Sequence, residues 1–145
     1  MAYADFDYYC NVFLGKFIDG ENFSRLAERA SDYIRGVTRG VSDSVGARDA
    51  RGFEAVQKAV CAVAEVLFDE ERIVERGFSG GEGVVSETVG NWSRTFRDPA
   101  VSSAEIKFIA DRKAEAVRIY LAGVPCFRGV FGVTSFPCLH RAGIR

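Results

Sequence analysis

His140, the only histidine, closely follows Cys138, and Cys126 lies a short way upstream; imidazole and thiolate together are the ligands of a zinc site. Such a site asks for four ligands at tight loop spacings, and here both the fourth ligand and the spacing are missing. Cys10 and Cys61 are scattered far from the others, so reduced thiols are expected, with Cys61 serving as a small apolar side chain beside Val56, Val60 and Ala64. As a general acid or base His140 needs a carboxylate to orient it, and none stands near it in the chain. Gly80-Gly81-Glu82-Gly83 suggests a phosphate cradle, but it lacks the Lys-Ser/Thr of a P-loop and follows a helix-like pattern, the reverse of the required order. Asp69, Glu70 and Glu71 fall on the polar side of a long helical pattern, where solvent is the expected partner. The expectation is a chain with no metal, no cofactor and no catalytic residue.

The elements that would have to position any site are mainly helical. Phe6, Tyr9, Cys10 and Phe13 recur at three-and-four spacing before Gly15, which predicts a short aromatic helix lying across the others as a lid. From Glu21 to Thr38 the stripe Phe23, Leu26, Ala27, Ala30, Ile34 and Val37 predicts an amphipathic helix that Asp19 can cap. A polar turn from Arg39 to Arg48 leads to a longer pattern from Asp49 to Gly77, with Phe53, Val56, Val60, Val63, Ala64, Leu67 and Val74 on one face. There Glu54 and Lys58 form a favourable i,i+4 pair, while Glu71 and Glu75 repel one another. Ser102-Ser103-Ala104-Glu105 reads as a capping box for a last long helix whose apolar face is Ile106, Ile109, Ala110, Val117, Tyr120 and Leu121.

Between the last two helices, residues 80–97 alternate with the period of strands around Val85, Glu87, Val89, Trp92, Arg94 and Phe96. A lone hairpin is marginal in water, so either the helices or another chain must complete it. The expected fold is therefore mainly α: a bundle of three long helices plus a short N-terminal helix in residues 1–125, with a β-hairpin insertion before the last helix. Residues 126–145 form an extended C-terminal tail, since Gly129, Gly132 and Pro137 oppose a helix, and its apolar residues imply that it either folds back on its own bundle or docks on a partner.

At 145 residues, 48% hydrophobic and 27% charged, with a formal net charge of -1, the chain has the profile of a single soluble domain. Bulk charge does not point to nucleic acid, although Arg128, Arg141 and Arg145 have no acidic neighbour in the tail and leave a sequence-independent DNA contact open. A helix-turn-helix is disfavoured by the long connection between the first two long helices. No window suits a membrane span and no signal peptide is evident, so a cytoplasmic location is expected.

Four blocks carry a family likeness. They are Met1 to Tyr9 with Leu14-Gly15, Phe23 to Ala27 with Arg29-Ala30-Ser31, Ser86 to Ser93, and Tyr120-Leu121 followed by Arg128-Gly129-Val130. Together, in this order, they resemble the head-to-tail connector (adaptor) proteins of tailed bacteriophages. The likeness runs from residue 1 to about residue 130. It implies a non-enzymatic virion protein of the neck, present in the host cytoplasm during assembly, that forms a dodecameric ring joining the portal to the tail-side stopper and continuing the DNA channel. It further implies that Val85, Glu87, Val89, Trp92, Arg94 and Phe96 contact neighbouring subunits, and that Phe127, Arg128, Val130, Phe131 and Phe136 dock on the portal. The alternatives are another neck component, such as a stopper or tail completion protein, and a small helical DNA-binding regulator.

Overall fold

The computed structural model describes residues 1–79, 84–88, 93–96 and 103–131, with side chains in 1–76 and 103–131. Its organising element is α4 (Ala50–Ser79), flanked by α2 (Gly20–Val37) on one side and α5 (Ser103–Leu121) on the other. The fold is mainly α, a helical bundle. Val56, Ala59, Val60, Cys61, Val63, Ala64, Val66 and Leu67 of α4 are all buried. That set is wider than one helical stripe, which is what a helix with a partner on each side requires. α2 contributes Phe23, Leu26, Ala27, Ala30 and Ile34, as its periodicity predicts, and α5 contributes Ile109, Val117 and Leu121.

Asp19 caps α2 by accepting a hydrogen bond from the Asn22 amide at 2.9 Å, and Asp5 caps the short α1 (Phe6–Asn11) through the Tyr8 amide at 2.8 Å. α1 is not a lid. Tyr9 is fully buried, its ring 4.6 Å from that of Phe23 and 5.9 Å from that of Phe13, which in turn meets Tyr120 of α5. The aromatic helix thus joins the common core through the buried Tyr9 ring, with Phe6 and Phe13 packed against it.

The region read as a polar turn contains a helix, α3 (Val41–Val45). Gly40 takes a left-handed φ of 79° that turns the chain out of α2, and Val45 is then buried while Ser42 bonds Thr38 at 3.0 Å. The chain beyond α5 also departs from expectation. Pro125–Phe127 forms a 3₁₀ turn and Arg128–Phe131 a single helical turn, α6. Phe127 is fully buried in the bundle's core. Its burial outweighs the helix-breaking tendency of Gly129, which costs only about 1 kcal/mol against roughly 1.5–3 kcal/mol for a buried aromatic ring.

Two further expectations are revised. Ile106 and Ala110 are exposed rather than part of α5's inner face, and Glu71, far from being set by repulsion with Glu75, is held by Arg25 and Arg29 of α2 at 2.6 Å. The i,i+4 pair Glu54–Lys58 is present at 2.7 Å. Ser102 of the capping box, Val89, Trp92 and Phe136 lie outside the described residues. Two short strands, β1 (Val84–Thr88) and β2 (Ser93–Phe96), pair antiparallel with Glu87 opposite Arg94 and an irregularity between Val84 and Ser86.

Gly15 tests how firmly α1 is seated. A Cβ at this position would stand 2.0 Å from Cε2 of the buried Tyr9 ring, so Gly15→Ala is expected to lose about 1–3 kcal/mol through overpacking. Gly36, helical and with open space around it, should instead gain roughly 0.5–1 kcal/mol as alanine. Urea denaturation of both variants measures this pair of opposite signs, and an unperturbed G15A would show that α1 is not fixed against the loop.

Candidate functional site

Of the described thiols, Cys10 and Cys126 are exposed and Cys61 is buried. Cys61 is buried in α4, and burial, with the nearby Glu65 carboxylate, pushes its pKa up to about 12, which keeps the thiol protonated and inert. Cys126 is exposed with Sγ 3.8 Å from Asp49 Oδ2; Cys138 and His140 lie outside the described residues. Among the described residues no group of three or more His, Cys, Asp and Glu side chains could hold a metal, and no helix is long and apolar enough to cross a membrane.

The acidic run on α4 has partners other than water. Asp69 pairs with Arg112 at 3.0 Å and Glu70 with Lys113 at 3.0 Å, both across to α5, while Arg25 grips both oxygens of Glu71 at 2.6 and 2.7 Å. That fork holds the Glu71 carboxyl below its ordinary pKa. The run is a clamp between helices. One open cleft of about 390 Å³ lies under the N-terminal segment, but its polar groups are occupied: Gln57 donates to the Tyr3 carbonyl at 3.1 Å and Glu28 takes the N-terminal amine. Nothing in it converges on a ligand.

What the surface offers is contact. Leu14 is 69% and Phe17 75% exposed in the loop between α1 and α2, beside the half-exposed Val12; on α5, Ile106, Phe108 and Ile119 are each about 60% exposed. Periodicity could not single these out, because it assigns apolar residues to the inside. The residues expected to face a portal divide. Phe127 is core, Arg128 is exposed, and Val130 and Phe131 are partly buried, with Phe131 packed on the core. Val85, Glu87, Arg94 and Phe96 are placed on β1 and β2.

The loop that carries Leu14 and Phe17 is tied down by one hydroxyl. Tyr9 Oη accepts from the Phe17 amide at 3.2 Å and donates to Glu65 Oε1 of α4 at 2.9 Å. Leu14 itself sits at a left-handed φ of 61°, a strained conformation that persists where surrounding structure imposes it. Burial, then the hydrogen bond to Glu65, pushes the Tyr9 pKa up to about 12, so the phenol remains a donor.

No family model matches the chain, and neither a curated protein nor a solved structure matches it.

Glu65 gives this relay a measurable pH signature. Burial raises its pKa most, and Asp69 adds to the rise while Tyr9 and Arg112 oppose it. The folded chain therefore binds this proton more tightly than the unfolded chain, so stability falls as pH rises from the ordinary carboxylate value of about 4.3 through the raised folded value. Glu65→Gln keeps an acceptor for Tyr9 and removes the buried charge. Its Tm is expected to equal or exceed the parent's at pH 7, with the difference shrinking towards pH 4. Tyr9→Phe should lose about 1–3 kcal/mol at either pH, since the Phe17 amide loses its acceptor. An E65Q protein clearly weaker than the parent at pH 7 would mean that the carboxylate's charge is stabilising.

Proposed function

We propose that the chain is a structural head-to-tail connector of a tailed bacteriophage, assembling as a dodecameric ring between the portal and the tail-side neck proteins. The observation that carries this reading is the order of the four sequence blocks, from Met1–Tyr9 to Arg128-Gly129-Val130. A mainly helical subunit with apolar side chains left in water supports it. Leu14 and Phe17 in one loop, and Phe108 and Ile119 on α5, are exposed and give apolar surface that a neighbouring chain would cover. In the ring, the insertion around Val85, Glu87, Val89, Trp92, Arg94 and Phe96 forms a hairpin that packs across the subunit boundary, where another chain can complete its edge. Such contacts join two different surfaces head to tail, as a closed ring requires.

The portal is met by the C-terminal tail, with Phe136 among its contacts. Phe127 has no part in that docking, since it belongs to the subunit's own core. A truncation testing the tail must therefore start after Phe131.

A chain lacking residues 132–145 is expected to fold with an unchanged Tm and to lose binding to portal-bearing capsids, measured by co-sedimentation; retained binding would remove the tail from the interface. Trp92→Ala combined with Val89→Ser should impair ring assembly on the portal, scored by electron microscopy, more than it lowers subunit stability. Unfolding of that double variant would place the insertion in the subunit's own core instead.

A further inference from the structure

The chain's net charge of -1 conceals a basic end. No acidic residue follows Glu115, whereas Arg118, Arg128, Arg141 and Arg145 do. The fold brings the first residues of α4 to this acid-free stretch. Asp49 Oδ2 meets Cys126 Sγ at 3.8 Å, and the 3₁₀ turn that leads to Arg128 packs on α3. Arg48 and Arg51 flank Asp49 in sequence, and Arg48, Arg51 and Arg128 are all exposed. Arg39, also exposed, stands at the other end of the five-residue α3.

These four arginines differ from several others elsewhere in the bundle. Arg25, Arg29, Arg35, Arg112 and Arg118 are engaged in ion pairs; among the described residues Arg39, Arg48, Arg51 and Arg128 are in none. Of the acids nearest in sequence, Asp43 and Glu54 are paired with cations, and Asp49 is held by a backbone amide. Asp49 accepts from the Arg51 amide at 3.1 Å, Asp43 is bound by Arg35 and Tyr3, and Glu54 holds Lys58. Four guanidinium groups in no ion pair, with only Asp49 as an uncompensated acid among them, stand beside the positive end of a 30-residue helix and leave a local positive surplus suited to anions.

We propose that Arg48, Arg51 and Arg128, flanked by Arg39, form a sequence-independent contact for the phosphate backbone of duplex DNA. The choice of partner follows from what is absent around them. A protein interface has an apolar centre ringed by polar groups, but none of the exposed large apolar residues, Met1, Val12, Leu14, Phe17, Ile106, Phe108 and Ile119, belongs to α3, the start of α4 or the turn at 125–128. Single-stranded nucleic acid is gripped by exposed aromatic rings, and no exposed aromatic residue lies in those elements either. Charge without stacking or apolar surface fits the outside of a duplex. For its place in an assembly this contact rests on the connector reading, as a surface turned to the passing DNA; the contact itself is a property of the free chain.

Fluorescence anisotropy with a labelled 30-base-pair duplex of about three turns, titrated with the full chain between 50 and 200 mM salt, tests it. Binding is expected to weaken with salt in proportion to about three phosphate contacts, and R48Q/R51Q/R128Q should bind roughly tenfold more weakly or worse at the lowest salt, with a flatter salt dependence. A control that removes the same charge elsewhere, K16Q/R72Q/K107Q, should bind like the parent. Loss of binding in the control to the same extent, or no loss in the arginine variant, would overturn the proposal. Displacement of the duplex by poly-glutamate at equal charge would also overturn it, in favour of an acidic protein partner. Circular dichroism checks folding, and if the triple variant is unfolded the single variants R48Q and R128Q serve. Because this assay contains no portal, its failure leaves portal binding to be judged separately.

Discussion

Everything in this subunit depends on α4 being buried on two sides at once. Between Val56 and Leu67 its small side chains, Ala59, Cys61 and Ala64, alternate with valines, letting α2 and α5 approach closely from opposite faces. Each buried valine contributes about 1.5–3 kcal/mol, whereas an exposed ion pair contributes about 0–1 kcal/mol. The apolar seam therefore supplies the stability. The pairs at Asp69, Glu70 and Glu71 contribute register: one short run of acids binds α2 through Arg25 and Arg29 and α5 through Arg112 and Lys113, so neither helix can slide without breaking its pair.

Beside this seam α1 adds its own ring to the core, meeting α4 between Glu54 and Glu65. Tyr9 has to be aromatic to reach Phe23, and its hydroxyl has to find partners once the ring is buried. Those partners are Glu65 and the Phe17 amide, with the consequence that a core contact fixes an exposed loop. Leu14 and Phe17 are thereby presented in one arrangement. Holding apolar side chains in water is unfavourable for an isolated chain, yet ordering them beforehand lowers the entropy cost of any contact they make.

The long helices were legible in the residues because periodicity over 18 or 30 residues is hard to mistake. Asp19 and the Glu54–Lys58 pair were readable for the same local reason. α3 was not, since five residues show no period and Gly40 reads as a breaker although it only redirects the chain. On α5, apolar residues occupy more than one face, so Ile106 looked inward when Ile109, Val117 and Leu121 are the ones that meet the core. Phe127 illustrates the deeper limit: its burial comes from elements far away in sequence, and nothing adjacent to it announces them. The exposed Leu14 and Phe17 were hidden by the rule that places apolar residues inside, and the partnerless arginines by a charge count in which opposite ends cancel.

That cancellation is only partial here, since Asp49 is the one acid beside these arginines that no cation holds. The acidic clamp at Asp69 to Glu71 lies about 18 residues along α4 from Arg51, or about 27 Å at 1.5 Å per residue. At physiological ionic strength the screening length is about 8 Å, so the acids scarcely lower the potential at Arg48, Arg51 and Arg128. They are also spent on Arg25, Arg29, Arg112 and Lys113. What an approaching anion meets at the start of α4 is the local surplus of guanidinium groups. A formal charge of -1 therefore describes the chain's solubility and its mobility in a field, while the sign of its interactions is set separately at each end of one long helix.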